Sequence, residues 1–163
     1  MAVLPDVLEL GLKVVLCGTA VGTRSALAGA YYAGPGNQFW KVLFRIGLTP
    51  RQLDPPEFRT LPQYGIGLTD LVKTCSGPDN SLSSSDFDIA GFLSKIERLA
   101  PRTLAFNGKR AAKEFYDRHY MDYGRQPETI CSTVVFVLPS TSGSARRYWD
   151  ESYWRDFADF VDR

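Results

Sequence analysis

The stretch Lys13-Val14-Val15-Leu16-Cys17-Gly18-Thr19-Ala20-Val21-Gly22-Thr23-Arg24-Ser25-Ala26 decides the fold. Its first part, Lys13 to Cys17, is an apolar run of strand length, bounded by a turn signal. Gly18 and Gly22 then interrupt it, with small residues between them. Glycine permits backbone conformations closed to other residues and lets a ligand approach the main chain. Amides presented in such a turn can donate to an anion or to a carbonyl edge. A glycine-rich turn after a strand is also a plain connection to a helix, and spacing alone leaves both readings open.

Outward from this stretch, strands and helices alternate. Tyr64 to Val72 reads as a buried strand running into a loop, Thr103 to Phe106 as another strand, and Thr133 to Leu138 as a third clear one. Between them lie amphipathic helices with apolar faces at Phe39, Trp40, Leu43 and Phe44, and at Ile89, Phe92, Leu93, Ile96 and Leu99. A helix over Lys109 to Tyr116 and a last one with Tyr153, Phe157, Phe160 and Val161 complete the set. The alternation predicts an α/β fold, a three-layer α/β/α sandwich around a short, mostly parallel sheet, in one domain over residues 1–163. In open sheets of this kind ligands bind beyond the carboxyl ends of the strands.

The connections carry their own signals. Gly34-Pro35-Gly36 forces a turn, and Asn37 is placed to cap the helix after it. Thr49-Pro50 predicts the start of a short helix, with Pro55-Pro56 breaking the chain again and a turn over Glu57 to Leu61. Thr74 to Asp86 reads as a surface loop. Met1 to Gly11 reads as a lead-in, and Asp117 to Glu128 as a polar mixed stretch.

Composition bounds the function. The 163 residues are 44% hydrophobic and 23% charged, ordinary values for a globular domain. A net charge of +1 excludes a non-specific polycation but leaves room for a local basic groove. An aromatic content of 13% supplies flat surfaces for packing or for stacking a base. The N-terminus lacks a basic region followed by an apolar core, so no signal peptide is expected, and no apolar run is long enough to span a bilayer. Cys17, Cys75 and Cys131 form no Cys-x-x-Cys pair, which predicts neither a disulfide framework nor a metal site and suits a reduced, cytoplasmic setting. His119 sits in a charged context as a solvated surface residue.

Five strings now stand in a shared order: Gly18 to Ala26, Gly34-Pro35-Gly36-Asn37-Gln38-Phe39-Trp40-Lys41, Tyr64-Gly65-Ile66-Gly67-Leu68-Thr69, Phe106-Asn107-Gly108-Lys109, and Pro139 to Arg146. Together they resemble the uracil-DNA glycosylases, above all the mismatch-specific uracil and thymine-DNA glycosylase branch. The resemblance implies a monofunctional, cofactor-free and metal-free repair glycosylase. It would flip uracil or a related damaged pyrimidine out of DNA, hydrolyse its N-glycosidic bond and leave an abasic site. Such an enzyme acts as a monomer in the cytoplasm, on the nucleoid if bacterial, and needs no membrane.

The resemblance also assigns roles. Flipping costs roughly a few kcal/mol, and Tyr32 is the aromatic expected to stack on the flipped base, worth about 1–3 kcal/mol. Asn37 is either a helix cap or a hydrogen-bond partner in the pocket. The amides of Gly18 to Ala20 would face the base carbonyls, where fixed donors stabilise charge that develops as the bond breaks. Ser140 joins the substrate-binding set. Ser142, Gly143 and Ser144 would let the backbone meet phosphates, and Arg146 or Arg147 would fill the space left by the flipped base. Lys41, Arg45 and Lys109 are candidate phosphate contacts, and no lysine is expected to form a Schiff base at the pocket.

The first motif departs from the branch it resembles. Where that branch has the asparagine that positions water, this chain has Ala20; where other branches have an acid, it has Thr19. No histidine lies between Pro139 and Arg146. Asp70 is the candidate substitute, a carboxylate in an apolar context that could orient water or offset oxocarbenium charge, or serve as a structural cap. The departure at Ala20 keeps a second reading in play, a silent or slow module that recognises uracil or abasic sites without cleavage.

Overall fold

The computed structural model describes residues 2–162. Five strands, β1 (Val14–Gly18), β2 (Ile66–Asp70), β3 (Thr103–Asn107), β4 (Gly124–Ile130) and β5 (Thr133–Leu138), form one sheet in the order β2-β1-β3-β5-β4. The first three pairings of that order are parallel and the β5-β4 pairing is antiparallel. β1, β2 and β3 are buried at every residue, as expected of strands covered on both faces.

Helices α1 (Thr23–Ala28), α2 (Phe39–Arg45), α3 (Ile89–Leu99), α4 (Lys109–Tyr116) and α5 (Glu151–Val161) complete the fold. The side chains of each strand alternate between two cores. Val14, Leu16, Leu68, Phe136 and Leu138 pack with α2, α5 and the 3-10 helix Pro55–Tyr64. Val15, Cys17, Leu104, Phe106 and Val137 pack with α3 and α4. The expected three-layer α/β/α sandwich is therefore the one observed.

Two buried tryptophans tie the α2–α5 layer to the loops above the sheet. Trp40 on α2 donates its indole N–H to the Tyr31 carbonyl at 3.0 Å. Trp154 on α5 donates to the Pro139 carbonyl at 2.9 Å and is completely buried. Each indole satisfies its polar atom while filling the core. Each also fixes one loop of the cleft described below.

At four places the structure departs from the sequence reading or adds to it, for identifiable reasons. No helix starts at Thr49-Pro50; the 3-10 helix begins at Pro55, where Asp54 and Glu57 form a reciprocal capping box, with Glu57 accepting from the Asp54 amide at 3.0 Å. The polar stretch Asp117 to Glu128 runs into β4, whose burial alternates weakly and whose register slips between Arg125 and Thr129, around Pro127. Proline is tolerated there because β4 is an edge strand. Phe44 leaves the apolar face of α2 and is 45% exposed. Finally, the lead-in is packed: Leu4 and Val7 are buried, and Val7 exchanges two 2.9 Å backbone hydrogen bonds with Leu68 on the open edge of β2. This approach requires Gly67, since a Cβ there would stand 2.7 Å from the Val7 carbonyl oxygen. Met1, at the start of that lead-in, lies outside the described residues.

Candidate active site

A cleft of about 550 Å³ opens at the carboxyl ends of β1, β2, β3 and β5. One wall is formed by Gly18 to Ser25, Tyr31, Tyr32 and Asp70, the other by Asn107 to Arg110 and Ser140 to Ala145.

Asp70 ends β2, opposite Gly18 at the end of β1. Its residue is 3% exposed. A Cβ at position 18 would stand 2.7 Å from Asp70 Oδ1 and 3.2 Å from the Tyr32 hydroxyl, so only glycine leaves room for both groups. Asp70 Oδ2 is buried and accepts no hydrogen bond; the Lys73 ammonium is 3.9 Å away. Burial pushes the Asp70 carboxyl up to about 6, with Lys73 pulling against the rise, Asp6 adding to it, and Lys95 and the Gly18 amide pulling back. Such a carboxyl is mostly ionised at neutral pH, yet basic enough to take a proton.

Tyr32 holds a left-handed backbone at φ 54°, a strained conformation for a non-glycine residue. Its ring lies parallel on Phe39, 3.9 Å between centroids, so one face is already covered. Its hydroxyl is buried without a hydrogen bond, and burial followed by the Asp70 charge drives its pKa well up, while the nearby Asn107 amide draws it back. Among the described residues, nothing accepts from the N–H groups of Thr19 and Ala20.

The opposite wall is closed on itself. Asn107 Nδ2 donates to the Thr141 hydroxyl at 3.0 Å, and the Thr141 amide donates to Asn107 Oδ1 at 3.0 Å. The Gln38 amide donates to the Thr141 carbonyl at 2.9 Å, joining this loop to the start of α2.

The family model for the uracil DNA glycosylase superfamily matches residues 5–160. The chain belongs to that superfamily. It is also similar to a candidate uracil DNA glycosylase from Methanosarcina acetivorans, solved by NMR in solution. The two share 25% identity, with a TM-score of 0.69, over 98% of this chain and 97% of the other.

Within this superfamily fold, the residues singled out from the sequence divide into three groups. Gly18, Thr19, Ala20, Tyr32, Asn37, Asp70, Ser140, Ser142, Gly143 and Ser144 all line the cleft. Asn37 accepts from the Phe39 amide at 3.0 Å through Oδ1, as a helix cap does, and this leaves its Nδ2 free to donate. Thr19 gives its hydroxyl proton to Asp79, so that hydroxyl is already engaged. Arg146 and Arg147 are exposed on the 3-10 turn Gly143–Tyr148, next to the cleft lining; Arg146 Nη2 lies 3.3 Å from where a Gly36 Cβ would be. Lys41 is exposed on α2 and is not part of the lining, and Arg45 is paired with Glu151. Lys109, a candidate phosphate contact, lines the cleft, its ammonium 4.2 Å from the centroid of Tyr123.

Asn107 stands in one of the motif strings but carries no assigned role there, and Asp79 and Lys73 stand outside the strings. Asp79 comes from the Thr74–Asp86 loop, which reaches the cleft because Arg110 donates to the Asp79 carbonyl at 2.8 Å. Nothing in the loop's composition signals that contact. Among the described residues no helix is long and apolar enough to cross a membrane, and no cluster of three or more His, Cys, Asp or Glu could hold a metal ion.

Proposed function

We propose that this protein is a monofunctional glycosylase that removes uracil from DNA by hydrolysis, with Asp70 as the group that accepts a proton from water. The observation that carries the reading is the buried Asp70 carboxylate, one oxygen of which accepts no hydrogen bond, in the lining of a cleft in a DNA glycosylase fold. Water attacks C1′ of the flipped nucleotide, the C1′–N bond breaks, and its electron pair passes to the base. Asp70 takes the proton of the attacking water, and its negative charge offsets the oxocarbenium character of the sugar. The unengaged amides of Thr19 and Ala20 and the Asn37 Nδ2 would donate to the carbonyl oxygens of the departing base. Ala20 then needs no polar side chain, because its main chain acts. Tyr32, held on Phe39, would stack on the base. Arg146 and Arg147 would enter the space left in the duplex, with Ser142, Gly143 and Ser144 on the phosphates.

Single-turnover base release tests this. Enzyme in excess is mixed with single-stranded and duplex oligonucleotides carrying uracil, with parallel substrates carrying the deamination products of adenine and guanine. Alkali reveals abasic sites, and borohydride would trap a Schiff base at Lys109. The expected result is release of uracil with no trapped adduct. Release of another base alone would move the substrate and keep the chemistry. Tight binding without release would replace the enzyme by a recognition module.

A further inference from the structure

A second cavity of about 250 Å³ lies behind the floor of the cleft, lined by Asp70, Leu71, Lys73, Asp88, Phe92 and Lys95 among others. Asp70 lines both cavities. Its Oδ2, which accepts no hydrogen bond, is the atom 3.9 Å from Lys73 Nζ. Lys73 is held from elsewhere: its ammonium is 2.9 Å from Asp6 Oδ1 and donates to the Tyr31 hydroxyl at 3.0 Å. Asp6 belongs to the packed lead-in. It accepts from the Thr69 hydroxyl at 2.7 Å, and its other oxygen pairs with Lys95 of α3.

We propose that Lys73, anchored by Asp6, is a positioning residue that holds Asp70 as a carboxylate from behind the substrate cleft. The inference rests on the reading of Asp70 as the proton acceptor. A lysine in direct hydrogen-bond contact would occupy the oxygen that must take the proton. At 3.9 Å the charge still favours the ionised form without doing so. Asp6 keeps Lys73 at that separation by giving it a nearer partner. The approach comes from the second cavity, so DNA and a flipped base filling the cleft leave it in place.

The groups facing Asp70 have opposing effects. Lys73, on the loop after β2, and Lys95, on α3, favour the carboxylate, while Asp6, on the lead-in, opposes it. Asp88 is occupied in capping α3, accepting from the Gly91 amide at 3.0 Å. Cys17 on β1, and Tyr31 and Tyr32 beyond α1, are kept neutral by burial.

The test is a sign pattern. The pH profile of single-turnover release is measured for the full chain and for Lys73→Met, Lys95→Met and Asp6→Asn, and Asp70 is titrated in the same proteins by carboxyl carbon NMR without DNA. Lys73→Met should move the acid limb and the titration up by about one pH unit, Lys95→Met up by less, and Asp6→Asn down. Lys73→Arg should restore the limb. Loss of packing alone would lower the rate at every pH without alternating sign. If the Asp70 titration does not move in Lys73→Met, the inference is overturned. If the titration moves while the rate profile does not, Lys73 sets the charge of Asp70 but Asp70 is not the acceptor, and the proposed mechanism fails instead. Should Lys73→Met not fold, Lys73→Gln decides: an upward titration supports the inference, and an unmoved or downward one ends it.

Discussion

On one wall of the cleft, Asn107 and Thr141 exchange two hydrogen bonds and leave nothing wanting. On the other, Asp70 Oδ2 and the Tyr32 hydroxyl are buried with no hydrogen bond at all. Both walls grow from the carboxyl ends of neighbouring strands, so topology does not explain the contrast. An unsatisfied buried polar group costs about 1–3 kcal/mol, and a fold tolerates that only where the surrounding packing over-determines it. Gly18 supplies the room and the Tyr32–Phe39 stack supplies the rigidity. The satisfied wall holds the shape of the cleft; the unsatisfied wall is where a ligand gains most by binding.

Substitutions can break this contrast, beginning with the largest effect. Asp70→Asn keeps the shape and removes the charge, and base release should fall by well over tenfold; an unchanged single-turnover rate would take Asp70 out of the mechanism. Gly18→Ala puts a methyl group against both unsatisfied groups. It should cost about tenfold in release, an effect of order 1.4 kcal/mol, while leaving DNA binding, measured by fluorescence anisotropy, nearly intact. Asn107→Ala should do the reverse. It strips the partners from Thr141 and should lower stability in urea by about 1–3 kcal/mol, with release impaired less than stability. A variant with normal stability and no activity would erase the distinction between the walls.

A pH dependence sharpens the same point. The Asp70 carboxyl is raised in the folded chain from 3.8 to about 6. The folded state therefore binds the extra proton between those values, and the stability associated with it is full below about 4 and lost as pH rises through 6. Melting curves of the wild type and Asp70→Asn should diverge from pH 4 to pH 7, the variant becoming relatively more stable at the higher pH. The smallest effect belongs to Thr19→Val, which removes only the hydrogen bond to Asp79. A partly exposed bond of this kind is worth about 1 kcal/mol, so release should change by less than about fivefold.

The satisfied frame was more legible in sequence than the unsatisfied site. β1, β3 and β5 announce themselves because both faces are buried, and the helical faces of α3 and α5 because one is. β4 did not, since an edge strand with polar residues and Pro127 has no strong period. Asp70 and Tyr32 could be picked out because they stand in or beside motif strings. Asp79 and Asp6 could not: each matters only through a partner distant in the chain, as Thr19 and Asp79 are at 60 positions apart. Side-chain pairings of that kind leave no periodicity to detect.

The lead-in over residues 2–10, bound to the β2 edge through Val7 and to Lys73 and Lys95 through Asp6, does two jobs with one segment. It covers backbone groups on that edge that would otherwise invite another chain, and it carries a counter-charge for the two lysines beside Asp70. A preparation nicked within that segment would therefore show two defects together, self-association and an altered acid response. An affinity tag is accordingly better fused at the far end of the chain than at the start.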